Sequence, residues 1–134
     1  MNPKQFLQVG GVVLAVLGLL GFFGLIGPTA DQSIFGSAWW FDNGENWAHI
    51  ILGVIGFVAA FAFPSTVQKP LVILLGALGV LVGLYSLFIS EIFLGTTLQN
   101  PADTILHIVV GAWALWAGLG KRGTIAEGAP KAGM

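Results

Sequence analysis

Cysteine is absent from the 134 residues, which rules out disulfides and thiolate metal sites. Charge is scarce: five Lys or Arg and six Asp or Glu make up only 8% of the chain, and no basic cluster of the kind that tracks nucleic acid occurs. The two histidines have no serine or lysine at a recognised catalytic spacing, so the usual hydrolytic arrangements are missing and the chain reads as a non-enzyme. Strict alternation of apolar and polar residues is also missing, which argues against lipid-spanning strands. What is present is hydrophobicity, 56% of residues and a mean hydropathy of +0.90, so the solvent of this chain is lipid.

Four segments, 6–27, 47–63, 71–94 and 101–119, approach the roughly 20 apolar residues that a helix needs to cross a bilayer core. The first is too long for a signal peptide, and Pro28-Thr29-Ala30 is a poor cleavage site. Lys4, Lys69, Lys121, Arg122 and Lys131 fall on one side of the predicted spans. Asp31, Asp42, Glu45, Glu91 and Asp103 fall on the other, with Glu127 alone among the acids on the basic side. The positive-inside rule therefore predicts cytoplasmic termini, in the cell membrane or another energy-transducing membrane.

The chain repeats itself. Glu45-x3-His49-x3-Gly53 returns as Asp103-x3-His107-x3-Gly111, an offset of 58 that also pairs Leu17-Gly18 with Leu75-Gly76 and Ile34-Phe35 with Ile92-Phe93. The expectation is a single all-α domain over 1–134, a four-transmembrane-helix bundle of two tandem helical hairpins, about 6–63 and 70–120. A pseudo-two-fold axis along the membrane normal would relate them, and a flexible cytoplasmic tail, 121–134, would follow. Small residues at Gly11, Ala15 and Gly18, and at Gly76, Gly79 and Gly83, suit close packing inside the bundle, with homodimerisation as the alternative. The stripes Gly53, Gly56, Ala60 and Gly111, Ala114, Gly118 are expected to pack helix 2 on helix 4, bringing the histidines together under the outer surface. Trp39-Trp40-Phe41 reads as an aromatic belt at the membrane boundary.

Asp42 and Asn100 stand three residues before Glu45 and Asp103, so both sets read as helix starts, with Pro101 at the first helical position of the second. Capping is thus an ordinary role for the acids. Histidine just inside lipid must find a partner, either a hydrogen bond that ties helices together or a ligand. Two ligand sets are open. His49 and His107 could be axial ligands of a tetrapyrrole, haem or chlorophyll-type, with Gly53 and Gly111 leaving room for the ring. Alternatively His49, His107, Glu45 and Asp103 could hold a divalent metal, which requires the acids to abandon capping. A transmembrane ion path is not expected, because the polar groups of the spans cluster in the outer half.

The run Glu45-Asn46-Trp47-Ala48-His49-Ile50-Ile51-Leu52-Gly53, echoed by Asp103-Thr104-Ile105-Leu106-His107-Ile108-Val109-Val110-Gly111, resembles a family of small bacterial and archaeal four-helix membrane proteins classed as a domain of unknown function. The resemblance covers about 6–119 and implies a fold and a membrane location without an activity. Thr104 stands where that pattern has Asn beside the acid. Together these readings lead to a non-catalytic scaffold or accessory subunit. Its partners would be the bilayer and other membrane subunits or a second copy, and not nucleic acid.

Overall fold

The computed structural model describes residues 1–120; the predicted cytoplasmic tail lies outside the described residues. The described chain folds as α1 (Pro3–Phe22), two short 3-10 turns, α2 (Asn43–Ala62), α3 (Ser65–Phe88), a two-stranded antiparallel hairpin of β1 (Ile92–Phe93) and β2 (Thr96–Thr97), and α4 (Ala102–Leu119). All four helices are long and apolar enough to cross a membrane.

Local chemistry sets their ends. Asn2 caps α1 by accepting from Gln5 N at 2.9 Å, while Gln5 Oε1 accepts from Asn2 N at 3.0 Å, and Pro3 follows in the first turn. Helix α1 stops at Phe22, short of the predicted 27, because Gly24 adopts φ +80° and Leu25 N donates back to Leu20 O at 3.1 Å. That bond satisfies a carbonyl that the helix would leave orphaned. Helix α3 likewise ends before the predicted 94: its apolar continuation turns into the β-hairpin, with Leu94 at φ 52° and Gly95 at φ 84°. Both central turn residues have positive φ, the geometry that matches the twist of two paired strands. At the opposite end of the bundle, Gln68 Nε2 lies within 2.9–3.3 Å of the carbonyls of Ala59, Ala60 and Phe63. One α3 side chain thereby serves the last turn of α2.

Helix α1 packs along α2, and α3 along α4; α1 also touches α3 and α4. The buried core lies toward the end that holds the α2–α3 turn and draws on every helix: Phe6 and Leu7, Ala59 and Ala60, Val72, and Ala114 and Ala117. Beside it Phe6 meets Trp113 edge to face, ring centroids 4.6 Å apart.

The glycine stripes differ from expectation. They face α1 and α3, and no comparable seam joins α2 to α4. A Cβ on Gly53 would stand 2.5 Å from Ala15 N and 2.6 Å from Gly11 O. On Gly111 it would stand 2.6 Å from Val80 N and 2.8 Å from Gly76 O. Gly118 faces Ile73, while Ala60 and Ala114 lie in the shared core. Each α2 or α4 notch thus lets one neighbouring backbone approach, and the gain is dispersion contact. Gly79 and Gly83 face His107, Thr104 and Ile108 of α4, so that small-residue motif is occupied within the chain.

The α1–α2 and α3–α4 contacts run in parallel. Gly11 meets Gly53 and Phe57 as Gly76 meets Gly111 and Leu115; Gly18 meets Asn46 and Ile50 as Gly83 meets Thr104 and Ile108. In these pairs the α2 and α4 residues stand 58 positions apart, and the α1 and α3 residues 65. The difference, seven residues, is about two helical turns and keeps the same face inward.

Candidate functional site

The two acids of the doubled motif begin in local roles. Asp42 Oδ1 accepts from Glu45 N at 2.9 Å and Glu45 Oε2 accepts from Asp42 N at 3.1 Å, the capping box expected at the start of α2. The start of α4 is built differently. Asn100 is not its cap and Pro101 is the residue before the helix, with no side-chain cap; instead Asp103 Oδ2 reaches back to accept from Gln99 N at 2.7 Å.

The remaining oxygens of Asp42 and Asp103 accept from the opposite half of the chain. Trp39 Nε1, from the loop before α2, donates to Asp103 Oδ1 at 2.9 Å. Thr97 N, from β2, donates to Asp42 Oδ2 at 2.8 Å, and Trp40 N donates to Gln99 Oε1 at 3.3 Å. Each loop therefore serves the helix start of the other half. The layer is sealed: Asn46 is 0%, Asp103 1% and Glu45 4% exposed. Carboxylates at such depth are tolerable when their lone pairs meet donors, and Asp103 meets two.

One turn deeper the halves diverge. His107 Nδ1 lies 2.8 Å from Asp103 O, and since a carbonyl only accepts, that nitrogen carries the proton. His49 Nδ1 is buried without a partner, its ring tilted against Phe41 at 4.7 Å between centroids. Both imidazoles are half-buried. Ser86 Oγ donates to Gly83 O at 2.9 Å, leaving its oxygen to accept from Thr104 Oγ1 at 2.6 Å. The corresponding place in the first half holds Gly21, packed directly against the side chain of Asn46. Glu45 Oε1 and Asn46 Oδ1 have no hydrogen-bond partner.

Of the residues nominated from sequence, Glu45, His49, Asp103 and His107 share this layer, whereas Gly53 and Gly111 do not open onto it. The slot expected for a flat ring is filled by the backbones of α1 and α3. Among the described residues no three His, Asp or Glu side chains are grouped so as to hold a metal ion, and both acids keep their backbone donors. Trp39, Gln99, Thr97 and the pair Ser86–Thr104 belong to the site but went unrecognised. The one signal for them was Thr104 standing at the place of Asn46, which marks a helix contact remade in different chemistry. Compared with family models, with curated proteins and with solved structures, the chain matches none.

Proposed function

We propose that this chain is a non-catalytic, multi-pass membrane protein, a scaffold or accessory subunit of a membrane complex that acts through its helix faces. The carrying observation is that Asp103 of the doubled motif, with Asp42 and Gln99 beside the helix starts, is engaged in binding the two halves together: Trp39 to Asp103, Thr97 to Asp42 and Trp40 to Gln99. A reaction centre would keep such groups facing an open cleft. Outward, every helix presents large apolar side chains, among them Val12, Val16, Ile55, Leu81 and Val109. In lipid these faces are what neighbouring spans would meet.

The proposal includes two tandem hairpins inserted in the same sense and related by a pseudo-two-fold axis along the membrane normal. Supporting it are the paired contacts at offsets of 58 and 65. It also includes cytoplasmic termini, in the cell membrane or another energy-transducing membrane. Lys4 and Lys69 stand at one end of the helices and Asp42, Glu45 and Asp103 at the other. Membership of the family of uncharacterised four-helix membrane proteins is part of the same proposal, on the doubled motif.

A second reading, axial ligation of a tetrapyrrole by His49 and His107, is favoured by one observation, the unpartnered Nδ1 of His49. The filled glycine notches weigh against it. Protein extracted gently from native membranes separates the two by its visible spectrum and native mass. The scaffold reading expects a colourless protein in an assembly of fixed stoichiometry. A Soret-type band lost in both His49→Ala and His107→Ala, or a solitary monomer, overturns it.

A further inference from the structure

We propose that the β1–β2 hairpin is an interfacial anchor whose tip, Ile92 and Leu94, inserts among the lipids of the non-cytoplasmic leaflet. The first ground is depth. Helix α3 carries Lys69 near its start, and about 20 residues beyond it, the length that crosses a bilayer core at ~1.5 Å per residue, end near Ser90. The hairpin at 92–97 therefore emerges at the boundary between acyl chains and headgroups. The second ground is continuity: Phe93 joins Leu78, Leu81, Tyr85, Phe88 and Ile89 in lining one open apolar groove of about 490 Å³ along the membrane-facing side of α3. Its ring meets Tyr85 at 5.3 Å. The apolar lining of α3 thus extends to Phe93 of the hairpin, past the exposed Glu91 at its start.

The third ground is the choice of residue at the tip. Leu94 holds φ 52°, a conformation that costs an L-residue with a Cβ and that Asn or Gly would adopt more easily, yet its side chain is 89% exposed and packs on almost nothing in the chain. Phe93 meets α3, so strand alternation turns Ile92 the other way, and Ile92 is exposed as Leu94 is. A strained leucine held out from the fold has its compensation outside the chain, and lipid is the apolar phase that the groove already touches.

The absence of cysteine makes the test direct. Leu94→Cys in the full chain, labelled with an environment-sensitive dye and reconstituted in phosphatidylcholine vesicles, is expected to show blue-shifted emission. Quenching by lipids carrying a shallow nitroxide should then exceed quenching by aqueous iodide several-fold. A label at Asp31→Cys, on the polar stretch of the other loop, should show the reverse. Leu94→Asn keeps the turn geometry, so in that background a label at Ile92→Cys should move measurably toward water. The anchor is overturned if iodide quenches the label at 94 as it does the label at 31. It is also overturned if the dye's environment changes with protein-to-lipid ratio, which would assign the tip to a second copy. The inference rests on bilayer insertion; failure of the protein to float with the vesicles would overturn insertion and anchor together, whereas a floating protein with a wet label overturns the anchor alone.

Discussion

The indole of Trp39 donates to the carboxylate of Asp103 across 64 residues of sequence, at 2.9 Å, and so fastens the loop between α1 and α2 to the start of α4. Removing the donor leaves a buried carboxylate oxygen unpaired. Trp39→Phe should therefore lower stability by about 1–3 kcal/mol. Trp40 contributes its backbone N–H, so Trp40→Phe should cost much less. Thermal unfolding of both variants in the same mild detergent provides the comparison, and equal losses would mean that the cross-loop bond contributes nothing.

The glycines divide by what stands opposite them. Gly53→Ala and Gly111→Ala each drive a methyl group into a neighbouring backbone and should lose about 1–3 kcal/mol. Gly56, one turn from Gly53, has nothing nearer than 3.8 Å, so Gly56→Ala should be neutral or gain up to ~1 kcal/mol from helix propensity. Denaturation with increasing sodium dodecyl sulfate ranks the three.

The spacing of 65 between matching α1 and α3 contacts makes a prediction of its own, because Gly21 with Asn46 occupies the place that Ser86 with Thr104 holds in the second half. Gly21→Ser alone should clash with Asn46 and lose roughly 1–3 kcal/mol. Adding Asn46→Thr should restore most of that loss by recreating the hydroxyl pair. A double variant no better than the single would show that the two interfaces are not interchangeable.

The histidines should respond unequally. His107→Leu gives up the bond to Asp103 O and should cost about 1 kcal/mol. His49→Leu removes a buried nitrogen that has no partner, so stability should be unchanged or slightly higher. A loss in His49→Leu as large as in His107→Leu would mean that the first ring has a partner in the membrane.

Asp42 combines a local and a distant role, since its two oxygens serve Glu45 N and Thr97 N. Asp42→Ala should exceed the ~1 kcal/mol typical of losing a helix cap alone. Hydrogen exchange should show faster exchange at both Thr97 and Glu45; protection retained at Thr97 would confine the residue to capping.

Much of the site could be read before folding because its first layer is local. A carboxylate three residues after Asp42, and a histidine one turn below it, follow from helical spacing alone. The same spacing misled at α4, where Asn100 matches Asp42 by position but Gln99 N and the side chain of Asp103 close the turn. Trp39 gave the pattern of a membrane belt and proved to be a donor, since nothing in a sequence ties a loop indole to an acid 64 positions away.

The amino-acid sequence by itself determined four apolar helices long enough to span and the capping box of α2, because hydropathy and capping act over a few neighbouring residues. Only the tertiary structure decided that Gly53 faces Gly11, that Gly111 faces Gly76, and that the matching α1 and α3 contacts lie 65 positions apart. In lipid the buried and lipid-facing sides of a helix are alike in polarity, so composition does not mark the side that meets a neighbour. A slide of two turns keeps the same side inward, and the choice falls to which backbones can approach.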